Sequence, residues 1–173
     1  MSKTKLIIFT ILLFVQSNIA FSETIKYLNI SKIMNDSKAG KFIIIELNKE
    51  NKKLSTIFKK QEDNFKIEEN KIISQKNILE KKELDKKIQL LRNKINIYNK
   101  EKLLKLKNLE KKKIKAQQDL IIYINEILVG YMDKNSISFI LKQNSIFVGK
   151  KELDITNEIL TLIDKKITKI EIE

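Results

Sequence analysis

The sequence predicts a mainly α protein with a small β body, from which a long α-helical hairpin projects as a coiled-coil-like arm. Three observations carry that expectation. Between Ala39 and Asp133 there are only two glycines and no proline, with a heavy load of Lys, Glu, Leu and Ile. Nothing in that stretch breaks the i→i−4 ladder, so it reads as long helix. Short β-type segments flank it on both sides. The rest, residues 23–37 and 135–173, amounts to fifty-four positions, too small a body to enclose helices of that length. The helices must project.

The N-terminus reads as a processing signal. Lys3 and Lys5 form a positive region, Leu6–Val15 is an uncharged run of ten residues, and Ala20-Phe21-Ser22 places small residues before Glu23. A spanning helix needs about 20 apolar residues, so cleavage is favoured over a membrane anchor. Residues 1–22 are therefore expected to be a signal peptide and 23–173 one exported domain. Within it, 38–134 form the arm, and 23–37 with 135–173 form the body.

Composition excludes most chemistry. The chain has no Cys and no His, so disulfides, thiolate or imidazole nucleophiles and lipid modification of an N-terminal Cys are all out of reach. Three glycines in the whole chain leave no phosphate-cradling loop and no nucleophile elbow. No enzyme, no metal site and no cofactor is expected. Charge says more. Without Lys3 and Lys5 the 35 basic residues become 33 against 22 acidic, a net of +11. Residues 38–133 hold 24 basic and 14 acidic residues, or +10, so the positive field sits on the helices. Such a field attracts acidic polypeptides, anionic lipid or lipopolysaccharide head groups, or nucleic acid.

Element by element, Thr24–Ile30 alternates as a strand, and Ser31 is placed to cap a short helix, Lys32–Asn35. Asp36–Gly40 bends the chain into the first long helix. There Ile44, Phe58, Phe65, Ile72 and Leu79 share one heptad position, and Leu47 and Leu54 its partner. Gln75-Lys76-Asn77 is the expected tip, since Asn tolerates a left-handed turn. The return helix carries Leu84, Leu91 and Tyr98 in one row and Ile88, Ile95, Leu109 and Tyr123 in another, with a second apolar stretch at Leu120–Leu128. After Gly130–Asn135, Ser136–Leu141 and Ser145–Val148 read as two strands joined by a hairpin loop at Lys142–Asn144. Asp154 or Thr156 caps a last helix with Ile159, Leu160, Ile163 and Ile167 on one face.

A body this small, with neither disulfide nor metal, is expected to be completed by other copies of the chain. Ile25, Tyr27, Phe139, Leu141, Ile146 and Val148 are the candidate interface residues. The competing expectation is that the base of the hairpin supplies the missing core within one chain.

The order of pieces resembles the Skp/OmpH family of periplasmic chaperones. The matching segments are Ile25–Ile30, then Ser37-Lys38-Ala39-Gly40-Lys41, Phe139-Ile140-Leu141, Ile146-Phe147-Val148, and Leu153-Asp154-Ile155-Thr156-Asn157-Glu158. The resemblance spans essentially all of 23–173 and lies in order and spacing behind a signal peptide. It implies a homotrimer whose chains share a β-barrel-like core and whose arms enclose a cavity. It also implies an ATP-independent holdase in the periplasm that keeps unfolded outer-membrane proteins from aggregating.

On that reading Phe58 and Phe65 are candidate apolar client contacts, though a role in zipping the hairpin competes for them. Lys59, Lys60, Lys66, Lys105, Lys107, Lys111, Lys112 and Lys113 are candidate anion contacts, against a merely solvated face. Lys100–Lys115, with eight lysines and two glutamates, is the strongest stretch. Partners are then unfolded outer-membrane proteins and the chain itself, with anionic lipid or lipopolysaccharide as further candidates and no physiological nucleic acid. The alternative is a structural coiled-coil envelope protein, a spacer or stalk. Loss of the two-position seam toward the tip and the flanking strands argue against it.

Overall fold

β1 (Thr24–Leu28) and β2 (Ile137–Lys142) lie side by side as a parallel pair, with the whole arm forming the connection between them. Residues 24–172 are described by the structure, a computed structural model; the expected signal peptide lies outside them. Among the described residues four α-helices complete the fold: α1 (Ile30–Asp36), α2 (Lys38–Ser74), α3 (Lys81–Asn135) and α4 (Thr156–Lys166). At 1.5 Å per residue, α2 with 37 residues and α3 with 55 span roughly 55 and 80 Å. They pack against each other as a hairpin.

Each boundary has a local cause. Asn29, not Ser31, caps α1: its side-chain oxygen accepts the Lys32 N–H at 2.8 Å, so the first strand stops at Leu28 and the helix starts earlier than expected. Ser37 caps α2 by accepting the Gly40 N–H at 3.1 Å. Gly40 follows because the α1 backbone passes there; a Cβ would lie 1.8 Å from the Met34 carbonyl oxygen. The Ser-x-x-Gly signal is thus a buried cap plus a close backbone approach. α2 ends at Ser74 and α3 restarts at Lys81, so the tip falls at Gln75–Glu80. α3 stops where Ser136 turns left-handed at φ 51°.

One expected element is absent. Ser145–Val148 is not a strand: Gln143–Ser145 forms a single 3₁₀ turn, and Phe147 and Val148 are fully or largely exposed. A strand needs a paired edge. On the edge of β1 away from β2, Tyr27 bridges Asp154, and the Tyr27 carbonyl accepts the Ile155 N–H at 2.9 Å. The segment therefore finds no strand partner among the described residues.

The core sits where body meets arm. Leu28, Ile33 and Ile43 pack with Leu120, Ile124 and Ile127 of α3 and with Ile155, Ile159 and Ile163 around α4. Ile33, Leu120, Ile124, Ile159 and Ile163 are fully buried. The root of the hairpin thus supplies core to the body within one chain. The area argument for obligate assembly is weakened accordingly. At the root the seam runs through Ala39 and Ile43, four apart on one helix face, so Ile43 is buried and Ile44 is not. Tyr123, placed in the seam by its heptad position, is likewise exposed.

α4 begins on a small polar network. Asp154 accepts the Thr156 N–H at 2.9 Å and also its hydroxyl, while Thr156 Oγ1 accepts the Asn29 N–H at 2.9 Å. The body's two sequence-distant halves are joined at this point. Tyr131 of α3 donates to Glu158 of α4, and burial followed by that hydrogen bond raises its hydroxyl pKa to about 12.

Candidate functional site on the arm and sheet face

Two surfaces carry the residues singled out from the sequence. The first is the outer face of the sheet. The strand register sets Ile25 opposite Phe139 and Tyr27 opposite Leu141, so these four side chains share one face. Leu28 and Ile140 face the core instead. Ile25 is 44% exposed, Phe139 54% and Leu141 43%, and Val148 beyond β2 is exposed as well. Ile146 is half-buried. Among the described residues β2 pairs only with β1, which leaves its other edge without a strand.

The second surface is the arm. Phe58 lies in the seam, buried, and Phe65 is half-buried beside it. Tyr98 of α3 meets both edge-on, with ring centroids 6.3 and 5.3 Å away. The Tyr98 hydroxyl donates to Glu62 Oε1 at 2.7 Å, and Lys102 Nζ donates to the same oxygen at 2.7 Å. Lys102 also stands 5.3 Å over the Phe58 ring. The Lys102 and Tyr98 hydrogen bonds hold the Glu62 carboxyl below the usual carboxylate range, and the Glu62 bond in turn raises Lys102. These two phenylalanines zip the hairpin. Further out, Lys94 pairs with Glu68 at 2.6 Å; nearer the root, Lys112 pairs with Glu50 at 3.3 Å.

The candidate lysines divide in two. Lys112 ties α3 to α2, Lys113 pairs with Glu110 at 3.6 Å, and Lys66 lies 4.0 Å from Asp63. Lys59, Lys60, Lys105, Lys107 and Lys111 are exposed and form no ion pair among the described residues. The arm also exposes apolar side chains that sequence reasoning passed over: Ile57, Leu90, Ile97, Leu103 and Leu104 are all more than half exposed. The signal was present in the heptads. These residues stand next to seam positions, where a purely structural hairpin would carry charge. Among the described residues, no helix is long and apolar enough to cross a membrane and no acidic cluster could hold a metal ion.

The architecture is a long two-helix arm rooted in a small α/β body, with exposed lysines and scattered exposed apolar residues along the arm. The chain belongs to the family described as outer membrane protein (OmpH-like), which matches residues 24–163. That family is not one of enzymes. Among solved structures, the crystal structure of a candidate outer membrane chaperone (OmpH-like) from Caulobacter crescentus CB15 is similar, with a TM-score of 0.81. The likeness covers 86% of this chain and 88% of that one at 15% sequence identity, so it speaks for the fold. Among curated proteins nothing matches the sequence.

Proposed function

We propose that this protein is an ATP-independent holdase of the periplasm that binds unfolded outer-membrane proteins within a cavity formed by the arms of a homotrimer. One observation carries the reading. The arm exposes large apolar residues such as Ile97, Leu103 and Leu104 beside unpaired Lys105, Lys107 and Lys111. A spacer would bury the former in a partner helix. Many weak apolar and charge contacts on several arms capture a flexible chain by avidity, with no single tight site and no nucleotide.

The sheet face supports assembly. Ile25, Phe139 and Leu141 form an exposed apolar patch beside an unpaired β2 edge, and Phe147 and Val148 project next to it. A neighbouring copy that paired with that edge would cover the patch and give 145–148 the strand partner it lacks. Barrel closure among three such copies follows from the family resemblance. Lipopolysaccharide or anionic lipid remains a secondary partner that the same lysines would serve.

The test is dilution of a urea-unfolded outer-membrane β-barrel into buffer with and without residues 23–173. Light scattering should stay low at a modest excess of trimer. Undiminished aggregation at large excess would dispose of the proposal.

A further inference from the structure

Past α4 the chain turns back over the arm. Ile167 is extended, and residues 168–172 run without helix or strand across the root of the hairpin. This tail lies beyond the residues that the family matches. Ile170 is 6% exposed and belongs to the root core, and Lys169 Nζ stands 5.7 Å over the Phe42 ring. On one flank Ile170 and Glu171 share a cleft with Phe42 and Glu46 of α2. On the other they adjoin Ile122 and Tyr123 of α3. The tail therefore lies over the seam between the two arm helices.

The cleft, about 600 Å³, is lined by Ile172 and reaches along α2 to Leu54 and Ile57. Ile57 also lines the next cleft along the arm, of about 390 Å³, with Phe58, Phe65, Ile97 and Tyr98. Ile57 and Ile97 are 54% and 58% exposed. Leaving aside Glu171 of the tail, the two clefts carry six lysines against three glutamates.

We infer that the two clefts are one groove for extended acidic-apolar segments of an unfolded chain, and that the C-terminal tail is a tethered competitor seated in its root end. The inference rests on the holdase reading. The tail shows what the groove accepts: Ile170 and Ile172 engage apolar residues on either side of the exposed Glu171, and Lys53 and Lys105 along the groove form no ion pair among the described residues. Outer-membrane strands alternate apolar and polar residues in the same manner. Covalent attachment gives the tail a millimolar-scale local concentration. A client segment must therefore hold enough of the outer groove to displace it, which favours long unfolded chains over short apolar peptides.

Two measurements on the intact mature protein test this. Ile57→Asp combined with Ile97→Asp alters exposed positions and should weaken capture of an unfolded outer-membrane β-barrel about tenfold or more. Ile45→Asp combined with Ile73→Asp, equally exposed but outside the groove, should leave capture within about twofold. Equal losses from both pairs, or none from the first, would overturn the groove. Amide exchange at 168–172 should accelerate at saturating client while α4 stays protected; unchanged exchange with client bound would overturn the competitor. Failure of the unaltered protein to capture any client would instead fall on the holdase reading itself.

Discussion

Tyr98 and Glu62, thirty-six residues apart, meet across the arm with the phenol donating to the carboxylate at 2.7 Å. Lys102 closes the same oxygen from the next turn of α3. Below this level α2 and α3 are held by the root core, and above it by Leu91 and Ile72. Between Ile43 and Phe58, α2 buries no side chain fully, and Asn48 and Asn51 stand where the seam would be apolar. The cluster is therefore the first tie built on a buried α2 side chain above a stretch bridged by the Lys112–Glu50 pair.

That tie should yield to acid. The folded-state pKa of Glu62 is lowered, chiefly by the Lys102 hydrogen bond and next by that of Tyr98. A carboxyl depressed in the folded state stabilises it fully above its unfolded pKa of about 4.3, and loses that contribution as pH falls through the lower folded value. Protection factors of α3 amides around Tyr98, corrected for the intrinsic pH dependence of exchange, should thus fall below about pH 4, and Glu62→Gln should show the lower protection already at neutral pH with a flatter profile. Parallel profiles for the two proteins would show that the aromatic contacts alone make the tie.

Gly40 admits no side chain. A Cβ would sit 1.8 Å from the Met34 carbonyl oxygen, which is backbone and cannot swing aside. Gly40→Ala should cost about 3 kcal/mol or more by forcing α1 off α2. Ser37→Ala removes a buried cap and should cost about 1–2 kcal/mol. Urea unfolding followed by helical circular dichroism gives both values. A Gly40→Ala protein as stable as the parent would mean that the α1–α2 approach is not tight.

The arm was legible in the sequence and the body less so. The run from 41 to 129 without Gly or Pro and the spacing of Phe58, Phe65 and Ile72 reveal two helices meeting along a seam, because helix propensity and heptad spacing are local properties. Asn77 sits within the observed tip for the same reason. Ser145–Val148 has a strand's local pattern yet forms none, because strand formation depends on a partner edge, which no local pattern reports. Ile44 continues the heptad of Phe58 but lies outside the seam, because at the root the helix turns its Ile43 face to α3 and α4. The seat of Ile170 could not be read at all, since five residues without periodicity carry no signal of what they pack against.

The sheet face should decide the number of chains. Phe139→Asp places a charge on a side chain that is 54% exposed in the single chain and touches none of the root core. Helix content and the thermal midpoint of the isolated chain should change little, within about 0.5 kcal/mol. If copies associate through this face, a buried unpaired carboxylate would destabilise the assembly by several kcal/mol. Sedimentation equilibrium should show the parent as a trimer and the variant as a smaller species. A variant with the parent's mass would place any association elsewhere.

Charge on the arm should act through Lys105, Lys107 and Lys111 more than through Lys112. Lys112 is engaged with Glu50 at 3.3 Å, so Lys112→Gln should loosen α2 against α3 near the root and have little direct effect on a client. The other three are exposed and unpaired, and Lys105 lines the outer groove beside Ile97. Each exposed lysine facing an acidic segment contributes about 0.2–1 kcal/mol. Replacing all three by Gln should therefore weaken capture of an acidic unfolded β-barrel by about threefold to about a hundredfold at low salt. The difference should vanish near 1 M salt, where the screening length falls to about 3 Å. Affinities that coincide at low salt, measured by fluorescence anisotropy of labelled client, would assign the lysine-rich face to solvation alone. A loss persisting at high salt would mean that the substitutions act through packing of the lysine stems and not through charge.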